Sequence, residues 1–217
     1  TRYYLNGIYL HAPEGKLRAV ATDGHRLALA EMALPAGAEN LPGIIIPRKT
    51  VAELRRLIDG VSGDVSMSVS DAKIRFTVGS AVLTSKLIDG TFPDYDRVIP
   101  KGNERVLVVD NKVFKDAVDR VATISAEKSR SIKLTLEKDS LALAVNNPEH
   151  GNAQEDLMVD YGSDALEIGF NAKYLLDVTT QIEARDVHFH LSDPASPALV
   201  KDPEDDGALF VLMPLRV

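Results

Sequence analysis

The strongest constraint in this chain is an internal repeat. Three stretches, GIIIPRKTVAELRRLIDG (43–60), RVLVVDNKVFKDAVDRVAT (105–123) and LEIGFNAKYLLDVTTQIEA (166–184), follow one plan. Each opens with an apolar strand, breaks at Pro, Asp or Asn, and places a basic residue (Lys49, Lys112, Lys173). Each then continues as a helix of about three turns, with apolar residues recurring at helical spacing. In the first these are Val51, Leu54, Leu57 and Ile58, and in the second Val113, Phe114, Ala117, Val118 and Val121. In the third they are Tyr174, Leu175, Val178 and Ile182. Asp110 or Asn111, and Asn171, suit the cap position, where a short side-chain oxygen accepts an unpaired N–H of the first turn. About three strands follow each helix, so the unit is strand–helix–three strands, about 50–60 residues long.

The strands announce themselves by alternation. KLRAVA, HRLALAE, DVSMSVS, KIRFTV, SIKLTLE, SLALAV and DVHFHLS are period-two runs bounded by Gly, Asp, Asn, Ser or Pro. That is the pattern of antiparallel strands with one wet face. The expected fold class is therefore α+β, with helices on one face and antiparallel sheets on the other. Residues 1–34 supply three strands without the strand and helix that the plan places before them. The chain thus divides into two domains, 1–100 and 101–217, each of two units and the first truncated. The Pro- and charge-rich FPDYDRVIPKGNER (92–105) is the expected boundary.

Composition narrows the function. A hydrophobic share of 45% is ample for a core, and no apolar run approaches the ~18 residues that would span a bilayer. The opening TRYYLNG has neither Met nor a charged-then-apolar leader, so the expectation is a fragment without a secretory signal. With no Cys there is no disulfide or thiolate metal site, in keeping with a reducing cytoplasm. A formal charge of −7 argues against wrapping nucleic acid, unless the basic residues are segregated.

They are in part. The first helix holds Arg48, Lys49, Arg55 and Arg56 against Glu53 and Asp59. The second holds Lys112, Lys115 and Arg120, with Lys128 and Arg130 beyond, against Asp116, Asp119 and Glu127. The third is nearly bare, with Lys173 and the later Arg185. These residues fit a solvated mixed-charge face and equally a surface that tracks phosphates without reading bases.

A second cluster, Asp23, His25 and Arg26 in LRAVATDGHRLALAEM, raises acid–base catalysis as an alternative. The DG between two alternating runs predicts a type I′ hairpin turn, which accounts for Asp23 without chemistry. A general base needs an orienting partner and a cleft, and the sequence carries no nucleophile motif, Gly-rich phosphate loop or Cys. No catalytic residue is expected. His188 and His190 share one strand face and would need a third ligand to hold zinc, and His11 and His150 are isolated. No metal or cofactor is expected.

RYYLNGIYL, ATDGHRLALAE, IIPRKTVAELRRLID, TSKLIDGTFPDYDRVIP, NNPEHGNAQEDL, IGFNAKYLLDV and the terminal LMPLRV are in one order from first residue to last. Together they resemble the bacterial DNA polymerase III β-subunit family, the replicative sliding clamps. The resemblance implies the DNA-clamp fold and most of a middle domain plus a C-terminal domain, without the N-terminal one. It implies a binding protein, not an enzyme, acting in the cytoplasm at the nucleoid. Full-length members form a homodimeric ring around double-stranded DNA. By the same resemblance Arg48, Lys49, Arg56, Lys115 and Arg120 face DNA, with Tyr3 and Tyr4 on a loop near it. Contacts there should be loose and water-mediated, since tight phosphate contacts would brake sliding. Ile124 matches a dimer interface, and this chain is expected to be monomeric.

The resemblance also implies a pocket for short extended peptides of DNA polymerase, clamp loader and repair proteins, with a Gln and a Leu-Phe-like end. One side would be Leu5, Thr22, Gly24, His25, Arg26 and Leu27 with Pro93, Arg97 and Val98. The other would be Asn171, Tyr174 and the tail Val211, Leu212, Met213, Pro214, Leu215, Arg216 and Val217. Apolar anchors buried there gain about 25 cal/mol per Å², and Met lets the surface repack around different partners. Two departures stand out. The tail ends Leu215-Arg216-Val217 where the family often has Met-Arg-Leu, and KDPEDDGA (201–208) looks like an insertion whose acids disfavour acidic peptides.

Overall fold

A computed structural model of the chain describes residues 2–125 and 130–217. These residues form two compact units, one of Thr1–Asp23 with Leu29–Asp94, the other of Gly24–Ala28 with Tyr95–Val217.

In the first unit the strands β1 (Gly7–His11), β2 (Lys16–Thr22), β3 (Arg26–Ala33) and β4 (Ile44–Pro47) lead into helix α1 (Arg48–Ile58). Strands β5 (Val65–Val69), β6 (Lys73–Val78) and β7 (Ala81–Lys86) follow as an antiparallel meander. The earlier strands are ordered β3-β2-β1-β4, with β1 antiparallel to both β2 and β4. The alternation seen in KIRFTV is realised: Ile74, Phe76 and Val78 are buried while Lys73 and Arg75 are exposed. Val51 and Leu54 of α1 pack on a small buried cluster of Ile44, Ile46, Ile74 and Phe76. Beside it an apolar groove of about 820 Å³ stays open, lined by Leu10, Leu17, Met32, Leu54 and Met67 among others.

The second unit carries the repeat twice. Strand β8 (Arg105–Asp110) and helix α2 (Asn111–Ala122) precede β9 (Ser131–Glu137), β10 (Ser140–Asn147) and β11 (Gly151–Met158). After the two-residue β12 (Asp160–Tyr161), strand β13 (Leu166–Asn171) and helix α3 (Ala172–Thr179) precede β14 (Asp186–Leu191), β15 (Ala198–Asp202) and β16 (Asp205–Leu212). Two sheets result, ordered β11-β10-β9-β13 and β12-β8-β14-β15-β16. α2 and α3 pack against each other. Phe114 of α2 meets Phe189 of β14 at 5.2 Å between ring centroids, and one core joins both helices to both sheets.

Two local expectations are corrected. The 23–24 turn is not type I′: Gly24 has φ 88°, but Asp23 is not in the left-handed region that a type I′ turn demands of both residues. Tyr3 and Tyr4 sit in a short 3-10 turn, Tyr3–Leu5, ahead of β1. Helix α3 has 8 residues, nearer two turns than three.

Candidate functional site

Chain direction and capping decide what lies at one end of the second unit. Asp110 caps α2, its Oδ1 accepting from Val113 N at 2.9 Å. Asn171 caps α3, its Oδ1 accepting from Lys173 N at 2.9 Å and Tyr174 N at 3.3 Å. That cap fixes where α3 starts. Tyr174 and Asp177, three residues apart, then share a helix face.

Arg26 bridges both. Its Nη1 donates to Asp177 Oδ2 at 2.6 Å, and its guanidinium carbon stands 4.2 Å from the Tyr174 ring centroid. A flat cation over an aromatic face is favoured electrostatically, and the carboxylate fixes the guanidinium's direction. The first residues of β3 are thereby tied to α3.

The C-terminal tail arrives at the same place. β16 ends at Leu212, after which Met213 N donates to His25 O at 2.9 Å. Pro214, which has no N–H, follows, and Leu215 N then donates to Gly169 O at 2.8 Å in an antiparallel bridge to β13. His25 and Arg216 are exposed, as are Met213 (39%) and Val217 (62%), whereas Leu27 and Val211 are buried beneath. The exposed set is apolar and basic, the buried set apolar.

The predicted peptide-site residues therefore separate. The second unit gathers His25, Arg26, Asn171, Tyr174 and the tail. Leu212, at 1% exposure, packs into the core of that unit, so it supports the tail from behind. Gly24 belongs to this unit, as do Arg97 and exposed Val98 in a 3-10 turn at Tyr95–Val98. Leu5, Thr22 and Pro93 belong to the first unit, Leu5 and Thr22 half-buried and Pro93 exposed.

The predicted phosphate-facing residues are exposed or half-buried on their helices, but some already have acidic partners. Arg56 pairs with Glu53 at 3.2 Å. Arg120 holds Glu155 of β11 with two bonds, at 3.0 and 2.5 Å, which keep that carboxyl below its ordinary pKa. Arg48, Lys49 and Lys115 have no ion-pair partner among the described residues. Lys128 and Glu127 lie outside the described residues. Ile124 is half-buried against the core, and its carbonyl accepts from Asn147 Nδ2 at 2.7 Å.

Three residues were missed by sequence reasoning. Asp177 had a signal in its spacing from Tyr174. Gly169 had one too, since a lone Gly within a strand marks close backbone approach. Asp202 had none. Its carboxylate is buried, which alone would raise its pKa. Backbone N–H groups of Glu204, Glu183 and Ala184 donate to it and outweigh that effect, holding the pKa below the usual carboxylate value. Residues 201–208 form the β15–β16 hairpin, with Asp202 turned inward and Glu204, Asp205 and Asp206 exposed.

His188 and His190 share a half-buried face of β14. Burial and then the charges of Lys201 and His188 keep His190 below its ordinary pKa. Among the described residues no group of three His, Asp or Glu could hold a metal ion, and no helix is long and apolar enough to cross a membrane.

Comparison with known proteins follows the same division. Residues 1–94 match the model of the DNA polymerase III beta subunit central domain, and residues 96–216 that of its C-terminal domain. The beta sliding clamp of Caulobacter vibrioides is 59% identical over 221 residues, and that of Escherichia coli K12 41% over 218. Each match takes in all of this chain, which spans 59% of the length of either relative. Among solved structures, a sliding clamp from Bartonella birtlesii bound to griselimycin superposes with a TM-score of 0.97 at 53% identity. A sliding clamp from Caulobacter crescentus gives 0.94 at 58%. Both cover all of this chain, which covers 59% of each.

Proposed function

The chain belongs to the DNA polymerase III β-subunit family, the sliding clamps, and from that premise we propose that it is the peptide-docking part of a processivity clamp. Its two domains are the clamp's middle and C-terminal domains. Its ligand is a short extended segment with a Gln and a Leu-Phe-like end, carried by DNA polymerase, clamp loader and repair proteins. One observation carries this reading: Met213 N reaches His25 O while Arg26 lies on Tyr174. An apolar tail and a basic strand start thus meet over buried Leu27 and Val211. Leu, Met, Val and Pro suit the apolar anchors of such a peptide, and Arg and His suit its backbone carbonyls. The further residues Gly24, Arg97 and Val98 belong to the same proposed site.

The complete protein would close as a homodimer around double-stranded DNA, in the cytoplasm at the nucleoid. Arg48, Lys49, Arg56, Lys115 and Arg120, with Tyr3 and Tyr4, would face the duplex. The acidic partners of Arg56 and Arg120 favour loose, non-specific contact, as sliding requires. Ile124 belongs to the proposed dimer contact, and this chain alone is expected to sediment as a monomer. No chemistry is assigned to Asp23, His25 and Arg26, because Arg26 is engaged in ordering the groove.

Fluorescence anisotropy with a labelled Gln/Leu/Phe peptide tests the reading. Saturable binding to the wild type should weaken with Met213→Ala by about five- to a hundredfold, as is usual for a central anchor (about 1–3 kcal/mol). It should vanish on removal of residues 213–217. A peptide that binds the truncated chain equally well would refute the proposal.

A further inference from the structure

We propose that Gly169 is the seat of the C-terminal tail and so sets the shape of the peptide groove; the second half of this claim rests on the function proposed above. β13 is an edge strand of its sheet, paired with β9 on one side. Leu166, Ile168 and Phe170 point into the core, which leaves Glu167, Gly169 and Asn171 alternating on the other face. The tail pairs with β13 at one residue, Gly169, through the Leu215 N–H.

Only glycine leaves room for that pairing. A Cβ at position 169 would stand 2.3 Å from Val217 Cγ1, 2.7 Å from the Leu215 carbonyl oxygen and 3.1 Å from Val217 Cγ2. The Val217 side chain, at the chain's last residue, could swing aside. The Leu215 oxygen is backbone, and it can move only if the tail leaves β13. Unlike Gly24, Gly169 is not among the glycines with positive φ, so the requirement is one of space and not of backbone conformation.

The tail is held at two points on either side of Pro214: Met213 to His25 and Leu215 to Gly169. A side chain at 169 would release the second and leave the first. Leu215, Arg216 and Val217 would then lose their fixed course while Met213 stayed attached. Two residues along the same strand, Asn171 caps the helix carrying Tyr174. The end of β13 therefore positions both the tail and the aromatic platform, and Gly169 acts as a positioning residue without itself meeting the peptide.

The test uses the 217-residue chain and two readouts. Hydrogen exchange of the Leu215 amide should accelerate at least tenfold in Gly169→Ala, with the amides of β9 and β10 unchanged. Affinity for the Gln/Leu/Phe peptide should fall about five- to thirtyfold. Leu215→Pro, which has no amide left to exchange, removes the same hydrogen bond from the tail side without touching β13 and should lower peptide affinity likewise, while the unchanged β9 and β10 amides guard against a folding defect of Gly169→Ala. Unchanged Leu215 exchange in Gly169→Ala would overturn the seat. Faster exchange with undiminished affinity would overturn its link to the groove. If the wild type binds no peptide, the function proposed above fails, while the exchange measurement still decides the seat.

Discussion

The two units follow one plan but are finished differently. In the second, α2 and α3 pack together and a single core reaches both sheets, with Phe114 and Phe189 fully buried. In the first, the described residues hold one α-helix, a small cluster around Ile44, Ile46, Ile74 and Phe76, and an open apolar groove beside it. The strand orders match: β3-β2-β1-β4 in one answers β11-β10-β9-β13 in the other. The contrast teaches that the pattern of strands suffices to lay down the sheets. Sealing a unit takes a pair of helices, because a sheet face must be covered to keep apolar residues from water.

The contrast can be broken by mutation. Phe114→Ala should cost the second unit about 3–5 kcal/mol, the range for an aromatic removed from a closed core. Leu54→Ala, at the open groove, should cost the first unit only about 1–2 kcal/mol, since less contact is lost. Denaturant unfolding followed by site-resolved hydrogen exchange would show this. Equal costs would mean that the groove is as closed as the core.

A smaller effect sharpens the comparison within the second unit. Asp202→Ala leaves three backbone N–H groups without their acceptor and should destabilise by about 2–3 kcal/mol at neutral pH. The folded pKa lies below the free value of 3.8, so this contribution is present above that pH. It disappears as pH falls through the folded pKa. Urea titrations of wild type and variant should therefore converge in strong acid, and a constant gap would contradict the assignment.

The least effect belongs to His190. Its folded pKa lies below the ordinary 6.5, so protonation favours the unfolded chain. The neutral form's contribution is intact above pH 6.5 and declines as pH drops toward the folded value. The groups facing it are Lys201 and His188 on the same sheet face. His190→Gln should flatten the melting temperature between pH 7 and 5 relative to the wild type.

Most of the architecture was legible in the sequence, and the reasons are particular. SIKLTLE and SLALAV alternate because one face of β9 and β10 meets the core, so burial wrote the pattern directly. Asp110 and Asn171 were readable as caps because capping is local. The turn at Gly24 was misjudged because DG favours but does not compel a type I′ turn, and the residue after it carries the bond to Met213. The length of α3 was overestimated because the apolar spacing runs on to Ile182 after the helix has ended. At the candidate site, His25, Arg26, Tyr174 and the tail were named through resemblance to a family. Asp177, Gly169 and Asp202 act across long sequence separations, and local pattern does not record which partner a carboxylate or a bare backbone will meet.

The most direct test of the central claim is amide chemical-shift mapping of the Gln/Leu/Phe peptide on the labelled chain. The account predicts the largest changes at Gly24–Leu27, at Gly169–Tyr174 and along Met213–Val217, all in the second unit. Changes centred instead on Leu10, Leu17, Leu54 and Met67, in the open groove of the first unit, would contradict it.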